Sequence, residues 1–269
     1  MTSLSDLLVK PGSRPRLSER DPRSTLSFAD KGVAKARTAD DAAEIDRLQD
    51  ILYAEGRRAL LVVLQGTDTA GKDGTIREVF NRTGPLGVRV TAFRAPSEED
   101  LDHDFLWRVH RAVPPRGTIG IFNRSHYEDV LVVKVRGLVP AEAVEKRYAQ
   151  INAFEKMLVE NGTTILKFML HISKDEQRER LQARLDDPRK RWKFQQSDLD
   201  DRLRWDEFQA AYDTMLERCS TEWAPWRVIP SDRKWVRSAV IAAVVRQTLE
   251  EMDPGYPVPG WKPEDFRIP

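Results

Sequence analysis

The chain has 269 residues, 40% of them hydrophobic and 32% charged, which suits one domain with insertions and is too apolar for a disordered chain. Lys and Arg number 44 against 43 Asp and Glu, a net charge of +1, so no global field marks a nucleic-acid or membrane binder, and charge has to be read locally. The single cysteine, Cys219, excludes an intrachain disulfide and a cysteine-rich zinc site; with no secretory-type apolar core at the start and no membrane-length apolar run, a soluble cytoplasmic protein is expected.

Residues 1–38 mix Pro11, Pro15 and Pro22 with many Arg and Ser, too little periodic apolar content for a core element, and read as an arm that packs late or onto a neighbour. From Asp40, the residues Ala43, Ile45, Leu48, Ile51 and Leu52 recur at helical spacing until Gly56, a natural stop. The unbroken apolar run 59–64 predicts a strand buried on both faces of a parallel sheet. Helices are then predicted over 72–81 and 98–112, with strands over 88–93 and 118–122. Pro140 suits the first turn of a helix reaching 160, and Gly162 closes it before a strand over 163–172. Ser173-Lys174-Asp175-Glu176 reads as a capping box opening a helix that ends at 187, before Pro188. A helix over 199–217, a strand over 226–229 and a helix over 234–252 follow, and then a tail over 253–269 with Pro254, Pro257, Pro259, Pro263 and Pro269. This alternation predicts an α/β fold, a parallel sheet with helices on both faces, forming one domain over 39–252.

Directly after the first strand stands Gly66-Thr67-Asp68-Thr69-Ala70-Gly71-Lys72, followed by Asp73-Gly74-Thr75 and an amphipathic helix. The glycines let successive amide N–H groups point inward, the helix N-terminus adds positive potential, and Lys72 reaches the outer phosphates. The candidate phosphate-binding set is therefore Gly66, Thr69, Ala70, Gly71, Lys72, Asp73 and Gly74. Asp73 occupies the place where such loops usually carry Ser or Thr, and Asp68 lies inside the loop. A carboxylate beside phosphates is repelled unless a divalent cation lies between them, so Asp68 is read as a magnesium-binding or nucleophile-orienting residue. Asp73 reads equally as a ligand or as an acid complementing the helix dipole.

The strand over 118–122 delivers Asn123-Arg124-Ser125-His126-Tyr127-Glu128-Asp129 to the carboxyl edge of the sheet, where ligands of open α/β sheets bind. Arg124 is read as a clamp on a transferring phosphoryl group, the alternative being a structural ion pair with Glu128 or Asp129. His126 is read as a satisfied structural histidine. Between Arg178 and Lys193 seven bases face three acids, a concentration that fits a lid closing over phosphates and an anion longer than one nucleoside triphosphate. Arg180 and Arg184 are expected to share a helix face, beside Leu181 and Leu185. Trp192 is read as an anchor of the lid hinge, and Phe208 and Tyr212 as core.

The loop over 66–74, the segment Phe122 to Val130 and the lid Arg184 to Phe194 together resemble polyphosphate kinase family 2, and the likeness runs from about Asp40 to Met252. The resemblance implies a P-loop kinase fold like that of thymidylate kinase. It also implies a reversible, magnesium-dependent transfer of the terminal phosphoryl group of inorganic polyphosphate to AMP and/or ADP, forming ADP and ATP. Carried over by position, the catalytic residues would be Asp68, Lys72, Arg124 and Arg184, with Arg180 and Lys193 added to the phosphate-binding set from a lid over about 174–206. Asn123, Arg124, Glu128 and Asp129 would meet the nucleotide, and Asp68 and Asp129 would hold Mg2+. Many members carry Trp-Tyr-Asn-Arg where this chain has His126-Tyr127-Glu128-Asp129, which resembles the subgroup acting on both AMP and ADP. A homo-oligomer, dimer or tetramer, is expected. The competing readings are an ATP-dependent nucleoside monophosphate kinase and a polyphosphate or nucleotide sensor.

Overall fold

Asp30 sets the first boundary: its carboxylate accepts from Val33 N and starts α1 (Lys31–Glu55), which ends where Gly56 turns left-handed at φ 63. The helix thus begins nine residues before Asp40, from which the apolar spacing is read, because a capping side chain rather than the apolar stripe decides its start. In the computed structural model residues 4–268 are described; the first three residues of the expected arm and Pro269 of the expected tail lie outside them. The chain then runs through β1 (Ala59–Gln65), α2 (Lys72–Val79), β2 (Val88–Ala92), α3 (Glu98–Leu101), α4 (Trp107–Ala112) and β3 (Ile119–Asn123). It continues through α5 (Val132–Arg136), α6 (Ala141–Glu160), β4 (Thr163–His171), α7 (Lys174–Asp186), α8 (Gln196–Leu203), α9 (Trp205–Cys219), β5 (Trp226–Pro230) and α10 (Lys234–Met252).

The strands form one all-parallel sheet in the order β2-β3-β1-β4-β5. Every residue of β1 is buried, as its uninterrupted apolar run requires of a central strand with helices on both faces. Val62, Leu64, Ile119 and Ile121 pack with α1, α2 and α10 on one side. Leu61, Val63 and Phe122 pack with α6 and α9 on the other. β1 and β3 are neighbours, with Leu64 opposite Asn123, so the loops leaving their carboxyl ends lie side by side at the reversal of strand order.

Three elements differ from expectation. The single helix over 98–112 is two, because Ser97 and Asp100 form a reciprocal cap on α3 and Asp104 accepts from Leu106 N to restart the chain as α4. The helix over 199–217 is divided at Arg204 into α8 and α9. At the start of α7, Ser173 Oγ accepts from Glu176 N as expected, but Ser173 N donates to Asp232 rather than to Glu176. The arm packs on its own domain: Leu7, Val9 and Leu17 are buried, and Val9 N donates to Trp226 O beside an antiparallel bridge from Leu8 to Arg227. It thereby covers the edge strand β5. Among the described residues no helix is long and apolar enough to cross a membrane.

Candidate active site

Gly66 and Gly71 adopt φ 153 and φ 109 in the β1–α2 loop, and Thr69 between them is left-handed at φ 66, so the backbone curls as a nest of inward-pointing amides. A Cβ on Gly66 would stand 2.8 Å from the Leu170 carbonyl of β4, which leaves no room for another residue. Lys72, 8% exposed, folds back so that its Nζ donates to Gly66 O at 2.7 Å and Thr67 O at 3.2 Å. The hydroxyls of Thr67 and Thr69 are buried without a hydrogen-bond partner. Buried donors left unmade are costly, and two of them in one anion-shaped loop mark a place for acceptor oxygens. Thr67 was not singled out from sequence; its position inside the loop, next to the first glycine, was the available signal.

The neighbouring segment is built on a strained residue. Arg124 adopts φ 62 immediately after β3, a conformation that non-glycine residues hold only when their surroundings impose it. Here Arg124 N donates to Leu64 O, Ser125 Oγ accepts from Tyr127 N, and a 3-10 turn over His126–Val130 follows. Beneath it lies a fully buried network: Lys167 Nζ donates to Glu155 Oε2 at 2.6 Å, Tyr127 Oη at 2.8 Å and Cys219 O at 2.7 Å. Glu155 also receives Tyr127 Oη at 2.8 Å and lies 3.2 Å from His126 Nε2. His126 is thus a buried member of this network through Nε2, but its Nδ1 is buried without a partner, so it is not the fully satisfied histidine expected from sequence. The network fixes the turn that carries Glu128, which accepts from Gln65 Nε2 at 2.7 Å.

Arg124 turns towards the phosphate loop: its Nη2 donates to Asp68 Oδ1 at 2.6 Å. The ion pair weighed for Arg124 therefore exists, but with Asp68 rather than with Glu128 or Asp129. Asp73 accepts from Asn123 Nδ2 at 2.8 Å and from Lys193 Nζ of the turn between α7 and α8, so it ties loop, strand end and that basic turn together. Arg184 Nη1 donates to Asp198 Oδ2 at 3.2 Å, and Asp198 lies beside Asp68, whose charge acts on it. Asp198 is a site residue that sequence reading missed. Nothing in its local spacing signals it, because α8 folds back over the loop only in three dimensions.

Two expected site residues are placed differently. Arg180 does not face the cradle: its Nη1 donates to Thr69 O and Ala70 O, its Nη2 to Ser231 O and Asp232 O, and its Nε to Glu176. All five N–H donors are used on the outer side of the loop, so it braces the loop from behind and has none left for phosphate. Asp129 accepts from Arg147 Nη1 at 3.1 Å, with Arg108 3.9 Å away, and the carboxylate that the fold brings to Asp68 is Asp198. Trp192 is 74% exposed, its Nε1 donating to Arg189 O, and so anchors no hinge. Arg189 and Lys190 pair with Asp187, which offsets part of the basic run.

Burial is the leading influence on Lys72 and pulls its pKa down to about 8; Arg124 acts in the same direction, and Asp68, Glu128 and Asp73 oppose. Burial pushes the Asp68 carboxyl up, but Arg124, Lys72 and Arg184 outweigh it and hold it below the usual range. Asp198 is raised, first by burial and then by the charge of Asp68. Two neighbouring carboxylates facing an anion cradle suit a divalent cation. Among the described residues no group of three or more His, Cys, Asp or Glu could hold a metal ion.

The family model described as polyphosphate kinase 2 matches residues 28–256. A relative named AMP/ADP-polyphosphate phosphotransferase, from Meiothermus ruber, is 52% identical over 252 residues, 93% of this chain and 94% of its own. Another, named ADP-polyphosphate phosphotransferase, from Rhodopseudomonas palustris, is 45% identical over 78% of this chain and 77% of its own. The crystal structure of polyphosphate kinase 2 from Arthrobacter aurescens superposes with a TM-score of 0.93 at 42% identity, covering 98% of this chain and 95% of that one. The parallel sheet, the nest after its central strand and the basic helix over it are thus those of a P-loop kinase fold, and the chain belongs to the polyphosphate kinase 2 family.

Proposed function

We propose that this protein is a polyphosphate-dependent nucleotide kinase that transfers the terminal phosphoryl group of inorganic polyphosphate to AMP and to ADP, in two successive steps, reversibly. The observation that carries the reading is the phosphate loop itself, where the buried Lys72 ammonium is parked on Gly66 and Thr67 carbonyls beside two unpartnered threonine hydroxyls. A polyanion offers these groups the acceptors they lack. An acceptor phosphate oxygen attacks the terminal phosphorus in line as the bond from that phosphorus to the bridging oxygen breaks, and the polyphosphate shortened by one unit leaves with the electron pair. Lys72, Arg124 and Arg184 stabilise the charge spread over the transferring group, so positioning and electrostatics carry the catalysis without a covalent intermediate. Asp68, with Asp198, would hold Mg2+, which would supply positive charge against the charge developing on the phosphates.

The stretch over 174–206 acts as the lid, with Lys193 and Arg184 its cationic contacts, while Asn123, Glu128 and Asp129 are assigned to the nucleotide. The 52% identity to a relative named for both AMP and ADP supports the double acceptor. The exposed Tyr256, Val258, Trp261 and Phe266 of the tail support self-association as a dimer or tetramer, and the near-neutral charge supports a protein without nucleic-acid or membrane partners. The deciding assay offers AMP and ADP separately with polyphosphate and magnesium, with the products separated. ADP and ATP are expected from AMP, and ATP from ADP. Phosphorylation of AMP by ATP alone would instead identify a monophosphate kinase.

A further inference from the structure

For the loop's amides to point at an anion, its carbonyls must point the other way, and those carbonyls need donors behind the loop. Arg180 supplies them to Thr69 and Ala70. Arg237, from the first turn of α10, approaches the same Ala70 carbonyl from a second direction. It is 1% exposed, with Nη1 3.5 Å from Ala70 O and Nη2 3.4 Å from Ser238 Oγ. Contact with the glycines is close: a Cβ on Gly71 would stand 2.9 Å from Cζ, and one on Gly74 3.2 Å from Nη2. The Nε has no hydrogen-bond partner. Every ion pair among the described residues involves some other base, so this buried guanidinium has no carboxylate against it. Burial draws its pKa down to about 10, Arg180 adds to this, and Glu78 opposes it only in part; at neutral pH it keeps its proton.

A buried charge without a counter-ion is among the most unfavourable features a fold can carry. This one lies immediately behind the loop in which the proposed function seats phosphate. We propose that Arg237 is a positioning residue for the polyphosphate donor, holding Gly71 and Gly74 in the cradle's shape and setting a buried positive charge beneath the bound phosphates. The inference rests on the polyphosphate reading. Arg237 does not touch the donor; it acts through the loop and through the field it projects across it, which is weakly screened at this depth.

The test uses the full chain as wild type, R237M and R237K. Each is titrated calorimetrically with inorganic tripolyphosphate and assayed with polyphosphate and ADP. R237M is expected to weaken tripolyphosphate binding about tenfold while the KM for ADP changes less than about twofold, since the lost charge lies on the donor side. R237K keeps a charge that burial beside Arg180 and Lys234, with Glu78 the opposing acid, makes easier to lose. Its affinity relative to wild type is therefore expected to fall about fivefold between about pH 7 and about pH 9, a dependence that a purely structural strut would not produce. Wild-type binding by R237M, or an R237K-to-wild-type ratio flat across that range, overturns the proposal. If R237M does not fold, the R237K ratio decides. A wild-type protein that neither binds tripolyphosphate nor transfers phosphoryl groups overturns the functional reading itself, a result distinct from either variant outcome.

Discussion

Lys72 gives the most direct quantitative check on the site. Its ammonium is fully buried, and its pKa falls from 10.5 to about 8. The unfolded chain therefore binds more protons than the folded one between those values, and stability must rise with pH through that window. The cost of holding the charge is fully present below about pH 8 and is relieved as the proton leaves the folded protein. Replacing Lys72 with Met removes the titration and keeps much of the side-chain volume. The two hydrogen bonds to Gly66 and Thr67 are lost in the variant at every pH, so they shift the comparison by a roughly constant amount and cancel from its pH dependence. Integrating the linkage relation, wild type should gain about 2 kcal/mol over Lys72→Met between about pH 7 and about pH 9.5. Denaturant unfolding of both proteins at the two pH values, without ligand, measures this directly. A difference between the proteins that stays constant to within about 0.5 kcal/mol would refute the argument that burial, rather than pairing with Asp68, governs this lysine.

In the assay with polyphosphate and ADP, Lys72→Met should lose at least about a hundredfold in kcat with its fold intact, because it removes charge stabilisation needed along the reaction path; near-normal turnover excludes that role. Arg184→Ala should raise the KM for polyphosphate more than that for nucleotide, and equal increases would mean that the basic helix is not the donor's contact. Tripolyphosphate binding should tighten with magnesium in wild type, and this dependence should shrink in Asp68→Asn; an undiminished dependence places the metal elsewhere. Glu155→Ala strands Lys167 as an unpaired buried charge and should cost about 3–5 kcal/mol in chemical denaturation. A loss under about 1 kcal/mol would show that water or a rearrangement replaces the carboxylate.

How much was legible in the sequence follows from the range over which each feature acts. The β1 run and the glycine-lysine loop are local: burial on both faces needs an unbroken apolar stretch, and the nest needs glycine at 66 and 71, where φ is positive and a Cβ has no room, so both are written in consecutive residues. The same holds for Gly56, which ends α1 in the left-handed conformation expected of it. What could not be read depends on which distant carbonyl or acid a long side chain meets. Arg180 has the composition of a phosphate ligand and the position of a brace, because the fold brings Thr69, Ala70, Ser231 and Asp232 carbonyls around it. Asp198 was invisible for the converse reason: its only distinction is the place to which α8 carries it. The split of the helix over 98–112 was legible in principle, since Ser97 and Asp104 are both side chains that compete for backbone N–H groups, but apolar spacing outweighed them.

The near neutrality of the whole chain is repeated inside the site. Arg124 rests on Asp68, Lys193 on Asp73, Arg184 on Asp198 and Lys72 on loop carbonyls, with Glu128 nearby. Four cations and four carboxylates thus share one small volume, each cation already occupied. On the proposed reading a phosphate polymer cannot simply add to this arrangement; it has to take the cations over, and in doing so it leaves Asp68 and Asp198 facing phosphate oxygens. That confrontation of like charges is unfavourable unless a divalent cation comes between them. The acids that keep the cations in order without substrate are then the ones able to bind metal with it. This explains why a loop built for anions carries a carboxylate at its centre, where phosphate loops more often have an uncharged residue.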